Sequence, residues 1–165
     1  MPVQGADLVS KNIALFGGKF LEEVNKDMET ARLVLDKAIE KNITLSDHTL
    51  ADLKAMGHPY ARRSPQSIHD PKYQVHKQSG KMLEGKYSGT KKASVSLFGN
   101  LEAQAYVGIK DDVEHAFHVV FGTSKMIPRD FLIGSLGEVR EQLWNTLKRS
   151  LKNAVISFNG KTEKL

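Results

Sequence analysis

The side chains of this sequence best suited to hold a metal or move a proton are six histidines: His48, His58, His69, His76, His115 and His118. His58, His69 and His76 are separated by 11 and 7 residues, which matches no local ligand spacing. His115 and His118 fall three apart in a stretch that reads as a strand, where residues three apart point to opposite faces. A shared ion would need convergence from distant parts of the chain, so solvated or hydrogen-bonded histidines are the simpler reading. Cysteine is absent, which excludes thiolate zinc sites, disulfides and thiol nucleophiles together. Gly17-Gly18-Lys19 lacks the spacing of a phosphate loop and follows no strand. Ser88-Gly89-Thr90-Lys91 meets only a bare serine–lysine spacing, and Gly122-Thr123-Ser124-Lys125-Met126 lacks the second glycine of a nucleophile elbow. Acidic pairs such as Glu22-Glu23 suit the solvated side of a helix. The sequence predicts no catalytic, cofactor-binding or metal-binding residues and a protein that is not an enzyme.

Charge points elsewhere. The net charge is +5 over 165 residues, and it is unevenly placed. Residues 57–100 carry eight Lys or Arg against two Asp or Glu, whereas residues 1–56 carry seven against nine. A basic segment is either a solvated face or the footprint of a polyanion. Arg62, Arg63, Lys72, Lys77, Lys91 and Lys92 are the candidates for contact with DNA or an acidic partner. No zinc finger, recognition helix or aromatic RNA-binding strand accompanies them, so any nucleic-acid contact is expected at the backbone and without sequence preference.

The elements that must position these residues follow from periodicity. Phe20, Val24, Met28, Ala31, Leu35 and Ala38 form one helical face over residues 19–41, with Gly17-Gly18 as the break before it. A short helix follows, with Ser46 as N-cap and Gly57 as its stop. Residues 58–80 lose all periodicity and hold three prolines, which predicts an extended basic arm adding little to the core. Residues 93–97 and 101–109 alternate as a hairpin around Gly99-Asn100, and residues 116–121 read as a third strand ending at Gly122. A closing helix runs from about Ser135 to Asn153. The expected fold is α+β: an antiparallel sheet of three or four strands against long N- and C-terminal helices. It forms a single domain over 1–165, with its core at about 19–155 and a flexible tail at 156–165. Phe121, Phe131, Leu136, Leu143 and Leu147 are the expected core residues, and Trp144 is placed in the core or at a subunit contact. No run reaches the roughly 20 apolar residues of a membrane span, and the first residues lack a signal pattern, so a soluble protein made in a cytoplasm is expected.

Residues 116–134, Ala-Phe-His-Val-Val-Phe-Gly-Thr-Ser-Lys-Met-Ile-Pro-Arg-Asp-Phe-Leu-Ile-Gly, resemble the core motif of the tail-completion, or head–tail joining, proteins of long-tailed bacteriophages. That family has a strand ending in Phe-Gly-Thr, a short loop with a Pro-Arg or Pro-Ala turn, then Phe-Leu entering a closing amphipathic helix. Val75 to Leu83 is similar to its Ser/Thr-Gly segment, and Leu53 to Tyr60 to a version found in some members. The chain departs from the pattern at Val120, where glutamate is frequent, and at Asp130, where a second proline is frequent.

The resemblance implies a structural virion protein of the neck, assembled in the host cytoplasm. It would form a homo-oligomeric ring, a hexamer by family habit, around the DNA passage. Its implied partners are copies of itself, head connector or stopper proteins, tail terminator or tail tube proteins, and passing double-stranded DNA. It implies no membrane and no cofactor. Gly122, Thr123, Ser124, Lys125, Met126, Pro128 and Arg129 then become the expected exposed, stiff connection offered to a neighbouring subunit. A basic nucleic-acid-binding accessory protein is the alternative from another class.

Overall fold

The computed structural model describes residues 6–45, 49–55, 61, 73–77, 79–95 and 101–162. Helix α1 spans Ala6–Ile43, α2 Leu50–Ala55 and α3 Lys81–Glu84. Strands β1, Lys86–Val95, and β2, Leu101–Ile109, form a two-stranded antiparallel sheet. Helix α4 covers Glu114–Phe121 and α5 covers Phe131–Thr162. The chain is α+β, as its pattern predicts, but two strands replace the expected three or four among the described residues.

The missing strand is the helix α4. Residues 116–121 are apolar at every position but His118, and such a run carries no clear period of its own to separate strand from helix. In the structure Ala116 is buried and Val113, Val119 and Val120 are half-buried on the inward side. Phe117 and Phe121 stack on the other side with ring centroids 4.6 Å apart, the i,i+4 spacing of a helix. Phe121, expected in the core, is 66% exposed for this reason.

Gly17-Gly18 does not interrupt α1, which runs through both. Each helical glycine costs up to about 1 kcal/mol relative to alanine, a cost that a helix of 38 residues absorbs. The cap of α2 is Thr49: its amide donates to Asp52 Oδ2 at 2.9 Å, and the Asp52 amide donates back to Thr49 Oγ1 at 3.2 Å. This reciprocal arrangement is a capping box. Ser46 and Gly57 lie outside the described residues. Helix α5 begins four residues earlier than expected because Asp130 caps it, Oδ1 accepting from the Ile133 amide at 3.0 Å. It also extends to Thr162, into the segment expected to be a flexible tail.

Two compact units emerge: residues 1–31, 90–105 and 141–165 in one, and 32–89 and 106–140 in the other. In the first, Val24 and Asp27 are buried, and Asp27 Oδ1 accepts from Ser150 Oγ at 2.6 Å. Asn25 Oδ1 accepts from the Ala93 amide at 2.7 Å, tying β1 to α1. Leu143 and Leu147 are half-buried, while Trp144 is 58% exposed with Lys148 Nζ 5.2 Å from its ring centre.

The second unit holds the main core: Ile39, Ile43, Val75, Met82, Ala116 and Phe131. Phe131 is fully buried, as expected, whereas Leu136 is exposed because it lies on the outer side of α5. Val75 corrects the expectation that the 58–80 stretch contributes little to the core. The Val75 amide donates to Asn42 O at 2.8 Å and its carbonyl accepts from the Leu45 amide at 3.3 Å. Its backbone is thus paired with the end of α1, and its side chain can be buried without stranding polar groups. Lys86 Nζ forms two ion pairs within the unit, 2.9 Å from both Asp36 and Glu40 on α1. Burial works to lower the Lys86 ammonium pKa, but those two carboxylates outweigh it and hold the group above its ordinary value.

Candidate functional site

The corner between α4 and α5 is built at the level of the backbone. Gly122 ends α4 with φ 73°, the left-handed region that favours glycine. A Cβ there would lie 2.8 Å from Met126 O and from Pro128 N, so the site excludes any side chain on steric grounds as well. Next comes a closed turn: the Thr123 amide donates to Met126 O at 3.0 Å and the Met126 amide to Thr123 O at 3.3 Å. Thr123 Oγ1 accepts from the amides of Lys125 at 3.2 Å and Met126 at 3.1 Å. Met126 forms an antiparallel bridge with Ala61. Ser124, Lys125 and Pro128 are exposed, and Gly122, Thr123 and Met126 are half-buried.

Arg129 departs from the expectation of an exposed contact residue. It is 1% exposed. Its amide donates to Val119 O at 2.7 Å, and its Nη1 donates to Gln74 O at 2.9 Å. A charged fork buried this way carries its hydrogen bonds inward, so Arg129 pins the corner to the 73–77 segment and is not part of its exposed face.

That anchor continues into a buried polar cluster that the sequence did not reveal. Asn42 is fully buried; its Nδ2 donates to Ser135 Oγ at 2.9 Å and its Oδ1 accepts from Gln74 Nε2 at 3.2 Å. Glu138, one turn on, accepts hydrogen bonds from Tyr73 and Asn42 and faces Lys41 at 3.5 Å. Burial raises the Glu138 carboxyl pKa, but these hydrogen bonds and the lysine charge outweigh burial and hold it below the ordinary value. The same Glu138 contact pushes the Tyr73 hydroxyl up. Close packing sits beside this cluster, since a Cβ on Gly134 would collide with the ring of Tyr73.

Beside the corner opens a pocket of about 440 Å³. Its inner side is apolar, formed by Ile43, Val75, Met82, Val119 and Met126. His76, His115 and His118 also line it, together with Lys77 and Lys125. The helical state of α4 explains how His115 and His118 come to one pocket: three residues apart on a helix is one face, where a strand would separate them. Among the described residues no group of three or more His, Cys, Asp or Glu side chains is placed to hold a metal ion. The pocket therefore unites one lysine expected at a subunit contact, Lys125, with one expected at DNA or an acidic partner, Lys77.

Of the remaining basic candidates, Lys91 and Lys92 are exposed neighbours on β1. Arg62, Arg63 and Lys72 lie outside the described residues. Among the described residues, no helix is long and apolar enough to cross a membrane. The arrangement contains surfaces suited to binding: a stiff corner, an apolar pocket with a cationic rim, and exposed aromatic side chains at Phe117, Phe121 and Trp144. No protein-family model, curated protein or solved structure matches the chain.

Proposed function

We propose that this chain is a structural protein of the phage neck, completing the tail and joining it to the head as one subunit of a ring around the DNA passage. The observation that carries the reading is the corner from Gly122 to Arg129. It joins the residues of the family-like motif into a unit locked by a left-handed glycine, a closed turn and a buried arginine, with Ser124, Lys125 and Pro128 turned outward. A joining protein needs such a connection, because a contact that must carry load gains from being ordered before it binds.

Exposed apolar side chains support the same reading. Phe117 is 63% exposed and Trp144 58%, and aromatic residues left at a surface are characteristic anchors of protein interfaces. A ring uses one patch of each subunit against a different patch of the next; the 122–128 corner and the long helix α1 are the two patches proposed here. Copies of the chain, connector or stopper proteins on the head side and terminator or tube proteins on the tail side are its proposed partners, and a hexamer is the proposed ring. Metal and cofactor chemistry have no part in this work, and neither does catalysis. Lys91 and Lys92, exposed on β1, are the proposed contacts to passing DNA.

The experiment is electron microscopy of purified protein mixed with tail-less heads. The neck reading expects rings at the head vertex. The alternative reading, a basic accessory protein on nucleic acid, draws on Lys91 and Lys92, and it expects duplex DNA bound by free protein, with affinity falling steeply as salt rises.

A further inference from the structure

The pocket beside the corner has a lining of two kinds. Its inner surface comes from side chains that belong to the core: Ile43, Val75 and Met82 are buried, and Val119 and Met126 are half-buried. Its polar lining includes Lys77, His118 and Lys125, all three exposed. No carboxylate lines it among the described residues. At about 440 Å³ it is within the range of roughly 300–1,000 Å³ in which proteins hold small groups, and large enough for an apolar side chain or two.

We propose that this pocket is a docking site for a segment of a partner protein that inserts an apolar side chain flanked by carboxylates. Charge complementarity decides the occupant. The apolar floor gains by losing water to an aliphatic or aromatic group, and the lysines at the rim then face whatever flanks that group. Acidic flanks are attracted there and basic flanks repelled, which sets both register and choice of partner. The site stands on the pocket and its charges, whether or not the protein sits in a phage neck.

Met82 and Met126 both line the pocket, which supplies a direct readout. Methyl-labelled methionine spectra of the full chain would be recorded with three synthetic peptides of one length. The first carries Leu-Phe between pairs of Glu, the second Leu-Phe between pairs of Lys, and the third Ser-Ser between pairs of Glu. The acidic apolar peptide is expected to shift the Met82 and Met126 methyl signals while leaving Met28, on α1 in the other unit, in place. The two control peptides are expected to leave all three unmoved. Charge reversal at both rim positions, Lys77→Glu with Lys125→Glu, should weaken that binding at least tenfold with thermal unfolding unchanged, since both side chains are exposed. Raised salt should weaken it in the wild type as well. The proposal is overturned if the acidic peptide leaves Met82 and Met126 unmoved at millimolar concentration. Equal binding of the basic or the serine peptide, or full binding by the charge-reversed variant, overturns it too.

Discussion

Among single residues, Arg129 and Glu138 separate structural from contact roles most cleanly. Arg129 reads from sequence as part of an exposed turn because Pro128 precedes it and charged residues are rarely fully buried. Its burial depends on Gln74 O, 55 positions away in sequence, and no local pattern announces such a partner. Arg129→Ala leaves a buried acceptor unpaired, at a cost of about 1–3 kcal/mol plus lost packing, so the midpoint of chemical denaturation should fall. A residue whose only work is at a subunit contact would leave that midpoint unchanged. Glu138 makes a prediction in pH. Its folded-state pKa lies below the ordinary value of 4.5. Its contribution to stability is therefore complete above about pH 4.5 and is lost as pH falls through the lower, folded-state value. Glu138→Gln should lower stability at neutral pH and flatten the acid limb of the stability–pH curve, read by thermal unfolding across pH 2–6. An unchanged acid limb would remove Glu138 from the account.

Helices α1 and α5 test what glycine does in two settings. Gly17 and Gly18 lie within α1, and a Cβ on either meets nothing within 4 Å. Gly17→Ala and Gly18→Ala should each stabilise the protein by about 0.4–1 kcal/mol, measured as a rise in denaturation midpoint. Gly134→Ala on α5 should do the reverse, because its Cβ would strike Tyr73, and the same measurement should show a loss. The two long helices and the second strand were legible in the sequence, because each carries a sustained period of its own: 3.6 along Val24 to Ala38, two along Leu101 to Ile109. The first strand runs Lys86–Val95 where the pattern predicts 93–97, and the expected turn at Gly99-Asn100 lies outside the described residues. What was not legible had no period to read. The run at 116–121 is apolar at nearly every position, so its helical state is decided by packing, with Ala116 turned against the core and Phe117 turned away. The same misreading hid the candidate site, since His115 and His118 reach one pocket only on a helix. Val75 was hidden differently: it packs as an extended segment whose pairing partner, Leu45, lies 30 residues back. The positive φ at Gly122 was anticipated, though it ends a helix and not a strand.

At the scale of the whole molecule, the proposal is that the chain is a subunit built to be joined. Its surfaces include a fixed corner, exposed aromatic side chains and a pocket with a cationic rim. Replacing the corner's outward side chains together, Ser124→Ala, Lys125→Ala and Pro128→Ala, should leave folding nearly intact, because each side chain is exposed and the turn is closed through Thr123 and Met126. Head–tail joining in a complementation assay should fall sharply with the same variant. The central claim is tested most directly by locating the chain in an assembled particle. A cryo-electron microscopy reconstruction of the particle neck should place multiple copies of this chain in a closed ring at the head–tail junction, with residues 122–128 at the contact between neighbouring subunits. A single copy, a position away from that junction, or absence from the particle would contradict the account.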